Sequence, residues 1–314
     1  MYQKSLRTLI QESDHCIFTP CVYDCVSARA LELAGFEAIM LSGGELALAM
    51  DGVVDYGLTN LTDTEWMVSR IAQSSALPLA ADIDNGYGDS PIHIYRATKR
   101  LVRAGACAIQ MEDSGSDGPE GLCSRETYFS KVKAAVAALA GTDCLLIART
   151  NADPDTQLDE GCERMRIAHE LGAEMTTVVR TRNAAEARYV AQRVPGWKMY
   201  PDVTAPDGIP SATLEELYAL DYKIMTTHFT LKAAMDGILT HAFENRKNGS
   251  VAYTYTHPGP FHYVGMSATA YFDPDAFMAM EGRFTGVTKE FPLGKIFNET
   301  YPDGLPHLKI EEHF

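Results

Sequence analysis

Short apolar runs punctuate the chain at regular intervals as far as residue 228. They are CIFTP near 16–20, EAIMLSGG near 37–44, LPLAADIDNG near 77–86 and ACAIQMED near 106–113, then CLLIART near 144–150, EMTTVVRT near 174–181, WKMYPDV near 197–203 and YKIMTTH near 222–228. Each has the length and nearly continuous apolar character of a strand buried on both faces, as parallel sheets require. Between most of them the spacing turns helical. SARALELAGF stops at Gly35, HIYRATKRLVRAGA at Gly105, GCERMRIAHELGA at Gly172, and AAEARYVAQRV before Pro195. Glycine just past the last apolar residue is a helix stop, because it enters the left-handed region without a Cβ clash. Strand and helix alternating eight times predict a (β/α)8 barrel. An open doubly wound sheet is the alternative. However, the glycine pair after the second run, LSGGELA, does not fit the dinucleotide fingerprint.

The pattern changes after about residue 245. NGSVAYTYTHPGPFHYVGMSATAYFDPD is rich in aromatics, Gly and Pro, and predicts an extended excursion before a helix at DAFMAMEGRF. The expected division is a catalytic barrel over 1–245 and an extension over 246–314 that packs on its own barrel or a neighbour's.

Composition narrows the function. The 314 residues are 46% hydrophobic, enough for a sizeable core, and carry a formal charge of −15. So acidic a surface argues against a nucleic-acid partner, which needs a basic footprint. The cysteines, Cys16, Cys21, Cys25, Cys107, Cys123, Cys144 and Cys162, are odd in number and form no zinc-type pair of pairs. They read as thiols of a reducing compartment. MYQKSLRTLIQESDH has no apolar signal core, and no run reaches membrane-spanning length. The expectation is a cytoplasmic enzyme with no membrane or nucleic-acid partner.

In a barrel enzyme the chemistry sits where strands end. The second run ends in Ser42-Gly43-Gly44, and the third in Asp82, Asp84 and Asn85. The fourth ends in Gln110, Glu112 and Asp113, and the fifth in Arg149 and Asn151. The sixth ends in Arg180 and the eighth in His228, while Asp55 lies in the loop DGVVDYG. Asp82 and Asp84, two residues apart on a strand, are expected on one side of it, and so are Gln110 and Glu112. Three carboxylates converging on one mouth repel one another unless a cation is present. An all-oxygen set suits Mg²⁺ or Mn²⁺ rather than zinc. Arg149 is either paired with those acids or open to a substrate anion. Ser42–Gly44 either offers N–H groups to an anionic oxygen or is a plain tight turn. His228 taken alone reads as a structural histidine.

LSGG, ADIDNGYGD, IQMED and IARTNA, in this order and on these runs, resemble the isocitrate lyase / phosphoenolpyruvate mutase superfamily. YDCVSARALELAGFEAIMLSGG fits the start of that family, and the resemblance covers roughly residues 10–245. It implies a (β/α)8 barrel in a homotetramer, a dimer of dimers that exchanges the last helix. It implies Mg²⁺ (or Mn²⁺) held by Asp82, Asp84 and Glu112, partly through water. It also implies small 2-oxo or 2-hydroxy acid substrates. Ser42, Gly43 and Gly44 would hold a carboxylate or oxyanion, Arg149 an anionic group, and Asp55 matches an acid near the active site of several members.

The carbon–carbon lyases of the superfamily carry a Lys/Arg-rich Cys-Gly-His loop after strand four, whose cysteine is the general acid. This chain has EDSGSDGPEGLCSRETYF, with Cys123 falling at the helix start beyond the loop and Ser124 as its N-cap. TTHFTLKAAM resembles the strand-eight end of the oxaloacetate decarboxylases and phosphonopyruvate hydrolases, which moves His228 into the site. Arg180 stands where the phosphonate branches carry a histidine, departs from the decarboxylases too, and points to an additional substrate carboxylate.

The expected reaction is Mg²⁺-dependent cleavage of a carbon–carbon bond in a 2-oxo or 2-hydroxy di- or tricarboxylate, by way of an enolate stabilised by the metal and the Ser42–Gly44 N–H groups. His228 would orient the departing carboxylate or protonate the enolate, and Arg149 with Arg180 would hold the remaining anionic group. The alternatives are a lyase whose general acid comes from HPGPFHY, which holds His257 and His262; a phosphonopyruvate hydrolase or phosphoenolpyruvate mutase; and a non-catalytic binding barrel.

Overall fold

A computed structural model describes residues 5–201, 211–257, 268–272 and 274–287. All eight expected strands form: β1 Ile17–Val22, β2 Ile39–Leu41, β3 Leu79–Asp82, β4 Ala108–Glu112, β5 Leu145–Thr150, β6 Met175–Val178, β7 Trp197–Pro201 and β8 Tyr222–Thr227. They close into a barrel in chain order, with β8 returning to β1 and every neighbouring pair parallel. Twelve α-helices lie among the described residues. α1 Leu6–Glu12 precedes the barrel, and α2 Cys25–Leu33 follows β1. After β2 come α3 Gly43–Leu46, which runs on into a π-helical turn Ala47–Asp51, and α4 Leu61–Ser74. One helix follows each later strand: α5 Pro91–Ala104, α6 Arg125–Leu139, α7 Leu158–Glu170, α8 Ala184–Ala191, α9 Leu214–Ala219 and α10 Thr230–Asn248. α11 Ala252–Thr256 and α12 Pro274–Thr285 belong to the C-terminal extension.

Alternation along the strands divides the core in two. Ile39, Leu41, Leu79, Ala81, Ile109, Met111, Leu146 and Ala148 face outward and pack with the helices. Ile17, Cys21, Met40, Ala80, Ala108, Leu145, Ile147, Met175, Met199 and Ile224 fill the barrel interior together with Leu6, Leu9 and Ile10 of α1. α1 therefore plugs the N-terminal end, and each of its three buried side chains contributes about 1.5–3 kcal/mol. Arg7 fastens the plug to Asp143 and Glu174 at 2.8 and 2.5 Å. With the bottom sealed, the C-terminal end of the barrel is the open one, and the next inward position on each strand faces it.

Two strand ends differ from the sequence expectation. β1 runs to Val22, two residues past CIFTP, so its last inward residue is Cys21. β3 stops at Asp82. In the extension, the carbonyl of Tyr271 accepts a hydrogen bond from Arg29 Nε at 2.8 Å, tying this segment to α2 of the same barrel. His257 stacks on Tyr253 with ring centroids 4.0 Å apart. His262 lies outside the described residues.

Candidate active site

The inward parity that packs the barrel also builds its mouth. Counting on from the apolar interior, the next inward positions are Cys21, Ser42, Asp82, Gln110 and Glu112, Arg149, Thr226 and His228. Strand pairing sets each acid beside a complementary side chain: Asp82 is in register with the Gln110 amide, and Glu112 with the Arg149 guanidinium.

Asp84 arrives differently. The ladder to β4 continues past the strand, with Ile83 N–H donating to Gln110 and Glu112 N–H donating to the Asp84 carbonyl at 2.9 Å. Ile83 takes the outward, fully buried side. Asp84 itself turns left-handed at φ 49°, so it reaches the mouth through a turn rather than by strand alternation. Its N–H donates to Asp82 Oδ1 at 3.1 Å. Such a conformation costs a non-glycine residue about 1–3 kcal/mol and persists only where the surroundings enforce it. Lys131 Nζ helps, donating to the Asn85 carbonyl at 3.1 Å. Gly86 helps too: at φ 94° a Cβ there would lie 1.5 Å from Ile94 Cδ1.

Arg149 sits between the acids. Its Nη1 is 3.1 Å from Asp82 Oδ2 and its Nη2 is 2.9 Å from Glu112 Oε2. Asn151 Oδ1 accepts from Arg149 Nε at 3.1 Å, and Asn151 Nδ2 donates to Ser114 Oγ at 2.7 Å. Ser114 in turn donates to Glu112. Behind this network the fully buried Asp113 accepts from Thr150 Oγ1, from the Asn151 N–H and from Arg164, which locks the end of β4 to β5 and α7. Of the two readings of Arg149, the arrangement shows pairing with the acids.

One guanidinium does not balance the carboxylates around it. Burial, with repulsion from Asp82, Glu112 and Asp55, pushes the Asp84 carboxyl up to about 7. Burial raises Asp82 as well, and repulsion from Glu112 adds to this against the pull of Arg149. For Arg149, burial works against the charge, but Asp82, Glu112, Asp84 and Asp55 outweigh it, and its pKa is raised.

Ser42 is an N-cap rather than part of a plain turn. Its side chain accepts from the Glu45 N–H at 3.2 Å, and α3 begins at Gly43. The first N–H groups of a helix have no partner within it. Both glycines touch the acids: a Cβ on Gly43 would lie 3.0 Å from Asp84 Oδ1, and one on Gly44 3.0 Å from Asp55 Oδ2.

Two adjoining cavities open at this mouth. A larger one of about 780 Å³ is lined by Asp55, Asp84, Glu112, Arg149 and Arg180, with Glu120 and Gln157 at its rim. A smaller one of about 360 Å³ is lined by Ser42, Gly44, Asp55, Asp82, Arg149 and His228. Arg149 and Asp55 belong to both. The ten side chains and glycines expected from the sequence thus gather at one place. Arg180 lines the larger cavity and His228 the smaller. Arg180 has a 57% exposed side chain and is 3.6 Å from Asp153.

Cys123 is elsewhere. It is 3% exposed within the helix-packing core, and burial raises its thiol to about 11. The loop before it is a short hairpin closed by a Ser114–Leu122 bridge and the Gly115 N–H to Gly121 carbonyl bond of 2.9 Å. Cys21 and Glu45, which the strand-end pattern does not single out, line the smaller cavity together with Gln110. Strand parity, extended two residues further along β1, is the signal that finds Cys21.

The oxygen-rich set fits a hard divalent cation. Asp82, Asp84 and Glu112 supply carboxylates, and Gln110 Oε1 is buried with no hydrogen-bond partner among the described residues. Among the described residues no three acidic, histidine or cysteine side chains already stand as a coordination sphere. Arg149 draws Asp82 and Glu112 to itself instead.

The phosphoenolpyruvate phosphomutase family profile matches residues 6–245. An oxaloacetate decarboxylase of Rhodopseudomonas palustris (strain BisB18) is 32% identical over 200 residues, 62% of this chain and 69% of that protein. The 2-methylisocitrate lyase of Escherichia coli (strain K12) is 34% identical over 154 residues, 47% of this chain and 52% of that protein. A crystal structure of 2,3-dimethylmalate lyase superposes with a TM-score of 0.77 at 28% identity, covering 89% of this chain and 98% of the other. With the barrel, the acid cluster and Arg149 in place, the chain belongs to the phosphoenolpyruvate phosphomutase family and is an enzyme of the isocitrate lyase/PEP mutase superfamily, the group that includes these carbon–carbon lyases.

Proposed function

We propose that this chain is a Mg²⁺-dependent lyase, with Mn²⁺ as a substitute, that cleaves a carbon–carbon bond in a small 2-oxo or 2-hydroxy di- or tricarboxylic acid. The observation that carries the reading is Arg149 bonded to both Asp82 and Glu112 beside an Asp84 held at about 7. This is a buried acid cluster that one guanidinium leaves short of positive charge. Asp82, Asp84 and Glu112 would hold the cation, which when bound supplies a Lewis acid for a 2-oxo oxygen. Most Mg²⁺ sites keep several waters and use only one or two carboxylates directly, so the absence of a three-ligand sphere is compatible with it.

The chain's own groups then divide the work. The Gly43 and Gly44 N–H groups, at the start of α3, would favour an enolate oxygen over the ground-state ketone. Arg149, swung off one carboxylate as a cation takes its place, would clamp a substrate carboxylate in two-point fashion. Arg180, at the outer wall of the larger cavity, would receive a second carboxylate, which favours a diacid or triacid over a monoacid. The 780 Å³ volume accommodates such a substrate.

Carbon–carbon rather than phosphorus–carbon cleavage is favoured by the similarity to oxaloacetate decarboxylase and 2-methylisocitrate lyase, and by Arg180 standing where the phosphonate branches carry histidine. A panel of 2-oxo and 2-hydroxy acids with Mg²⁺, monitored for pyruvate, glyoxylate, acetate, oxalate and phosphate, tests the reading. Phosphate from a phosphonate as the sole product would replace it with the phosphonate reading, and no turnover with feeble Mg²⁺ binding would favour a binding barrel.

We also propose a homo-oligomer. α10 runs for 19 residues with none buried. Met235, Ile238, Leu239 and Phe243 recur along it at helical spacing and are 51, 63, 46 and 64% exposed. An apolar stripe of that length on a monomer surface marks a contact, and a second copy of this chain is the proposed occupant.

A further inference from the structure

The smaller cavity contains acid–base groups that the metal end of the mouth does not use. Cys21 is 1% exposed, and its Sγ lies 3.6 Å from His228 Nε2. The other ring nitrogen, Nδ1, is 3.9 Å from Glu45 Oε1. Thr230 Oγ1 reaches both Glu45 Oε2 at 3.4 Å and the Cys21 carbonyl at 2.8 Å, fixing the carboxylate and the strand end relative to each other. Burial raises the Glu45 carboxyl, and His228 and Thr230 pull it back. The imidazole side chain is 57% exposed, so it touches the thiol on one side and solvent on the other.

A buried cysteine is by default a small hydrophobe, and Cys21 does pack beside Met40. Two further facts speak for chemistry. The thiol is within hydrogen-bond reach of the imidazole, and the Glu45 carboxylate lies 3.9 Å from the other ring nitrogen, close enough to favour a charged ring; thiol and histidine at such a distance can exchange a proton. In addition Gln110, 3% exposed, is among the residues lining the same cavity, and its buried Oε1 has no hydrogen-bond partner among the described residues. A buried acceptor with no donor is costly, which marks the wall between the metal end and this chamber as a place where a bound group would be stabilised. Cys123 cannot serve there, being packed into the core behind the hairpin.

We propose that Cys21 is the general acid of this site, giving its thiol proton to the carbanion carbon of the enolate that carbon–carbon cleavage leaves behind. The proposal rests on the enolate-forming reading above. In the step, the S–H bond breaks and a C–H bond forms with the electron pair of the enolate C=C, while the C–O bond returns to a carbonyl. The thiolate then takes the Nε2 proton of His228, and the imidazole regains a proton from solvent. No electrons are gained or lost overall. His228 is thereby a relay, and the nearby Glu45 carboxylate favours the protonated ring.

Exchange of pyruvate methyl protons in D₂O with Mg²⁺, followed by NMR, isolates this step from bond cleavage. The wild-type chain should exchange them, and Cys21→Ala and Cys21→Ser should each exchange about 100-fold more slowly, the lower bound of a positioned acid–base group. Mg²⁺-dependent oxalate binding should stay within about threefold in both variants, a split that general loosening of the barrel would not give. Exchange within about threefold of wild type in both variants overturns the proposal.

If the wild-type chain neither exchanges pyruvate nor consumes oxaloacetate, the substrate reading fails, and alkylation decides on Cys21 separately. Iodoacetamide, mapped by mass spectrometry, should then modify Cys21 faster than the more exposed Cys25, and about tenfold more slowly in His228→Gln. Equal rates at Cys21 and Cys25, or no effect of His228→Gln, overturn it.

Discussion

Arg149 Nη1 lies 3.1 Å from Asp82 Oδ2, two strands away at the barrel mouth, and its other terminal nitrogen holds Glu112 on the strand between them. The three side chains are 21, 11 and 12% exposed, so the charges are largely withdrawn from water. Removing the guanidinium leaves two buried carboxylates facing each other. Arg149→Met should cost the metal-free protein about 3 kcal/mol, the usual cost of breaking a buried pair from one side. Saturating Mg²⁺ should recover most of it, since a ligand at 100 times its Kd restores about 2.7 kcal/mol. Urea melts with and without Mg²⁺ check this, and an equal loss in both would mean that no cation takes over the charge.

Asp84→Asn separates function from stability. It removes a like charge from the cluster while retaining a residue that tolerates the left-handed backbone. Metal-dependent turnover should fall by about 100-fold or more, and thermal stability of the metal-free chain near neutral pH should hold or rise. A variant with full metal-dependent turnover would remove Asp84 from the metal site.

The raised Asp84 carboxyl fixes a pH dependence whose sign is opposite to that of a salt-bridged aspartate. Between its ordinary 3.8 and about 7 the folded chain keeps a proton that the unfolded chain has lost. The stability associated with that proton is complete below the lower value and disappears as pH rises through the upper one, ~4 kcal/mol at most for this group. Mg²⁺ competes with the same proton. Its affinity should increase with pH through about 7, with proton release on binding near pH 6 and little above about pH 8. Calorimetry in two buffers of different ionisation enthalpy counts the protons directly.

Gly43→Ala tests how tightly the first turn of α3 is set against the acids. Alanine gains up to about 1 kcal/mol in a helix, and this offsets part of the crowding of Asp84 Oδ1 by a Cβ 3.0 Å away. Stability should change by less than about 1 kcal/mol while kcat falls about tenfold or more, because a carboxylate displaced by a few tenths of an ångström misplaces what it holds. Steady-state kinetics alongside a thermal melt distinguish this from a simple folding defect.

Charging the exposed stripe of α10 tests the oligomer. Ile238→Asp and Phe243→Asp should shift the chain to a smaller species in size-exclusion chromatography with light scattering. Each substitution lies on the surface of a single copy, so its direct cost to the fold should be about 0.5 kcal/mol or less. An unchanged elution position would show that this face is not the contact.

The sequence by itself determined the barrel. Eight runs buried on both faces alternate with helices that stop at glycine, and local chemistry leaves few other ways to satisfy such a pattern. It also determined which residues stand at strand ends, because alternation puts Asp82, Gln110, Glu112, Arg149 and His228 on the inward side of their own runs. What each does to its neighbours was decided by barrel closure. Pairing β4 with β5 in register sets Glu112 beside Arg149, and pairing β8 with β1 brings His228 to Cys21, 207 residues away in the chain. No local pattern encodes such a contact. The left-handed turn that carries Asp84 into the mouth is likewise a tertiary result: strand alternation predicted the right side by the wrong route. The ladder to β4, the Lys131 bond to the Asn85 carbonyl and the fit of Gly86 against Ile94 hold the backbone where aspartate alone would not go. Adjacent residues set the residue types at the mouth, and the closed barrel set their distances and hence their charge states.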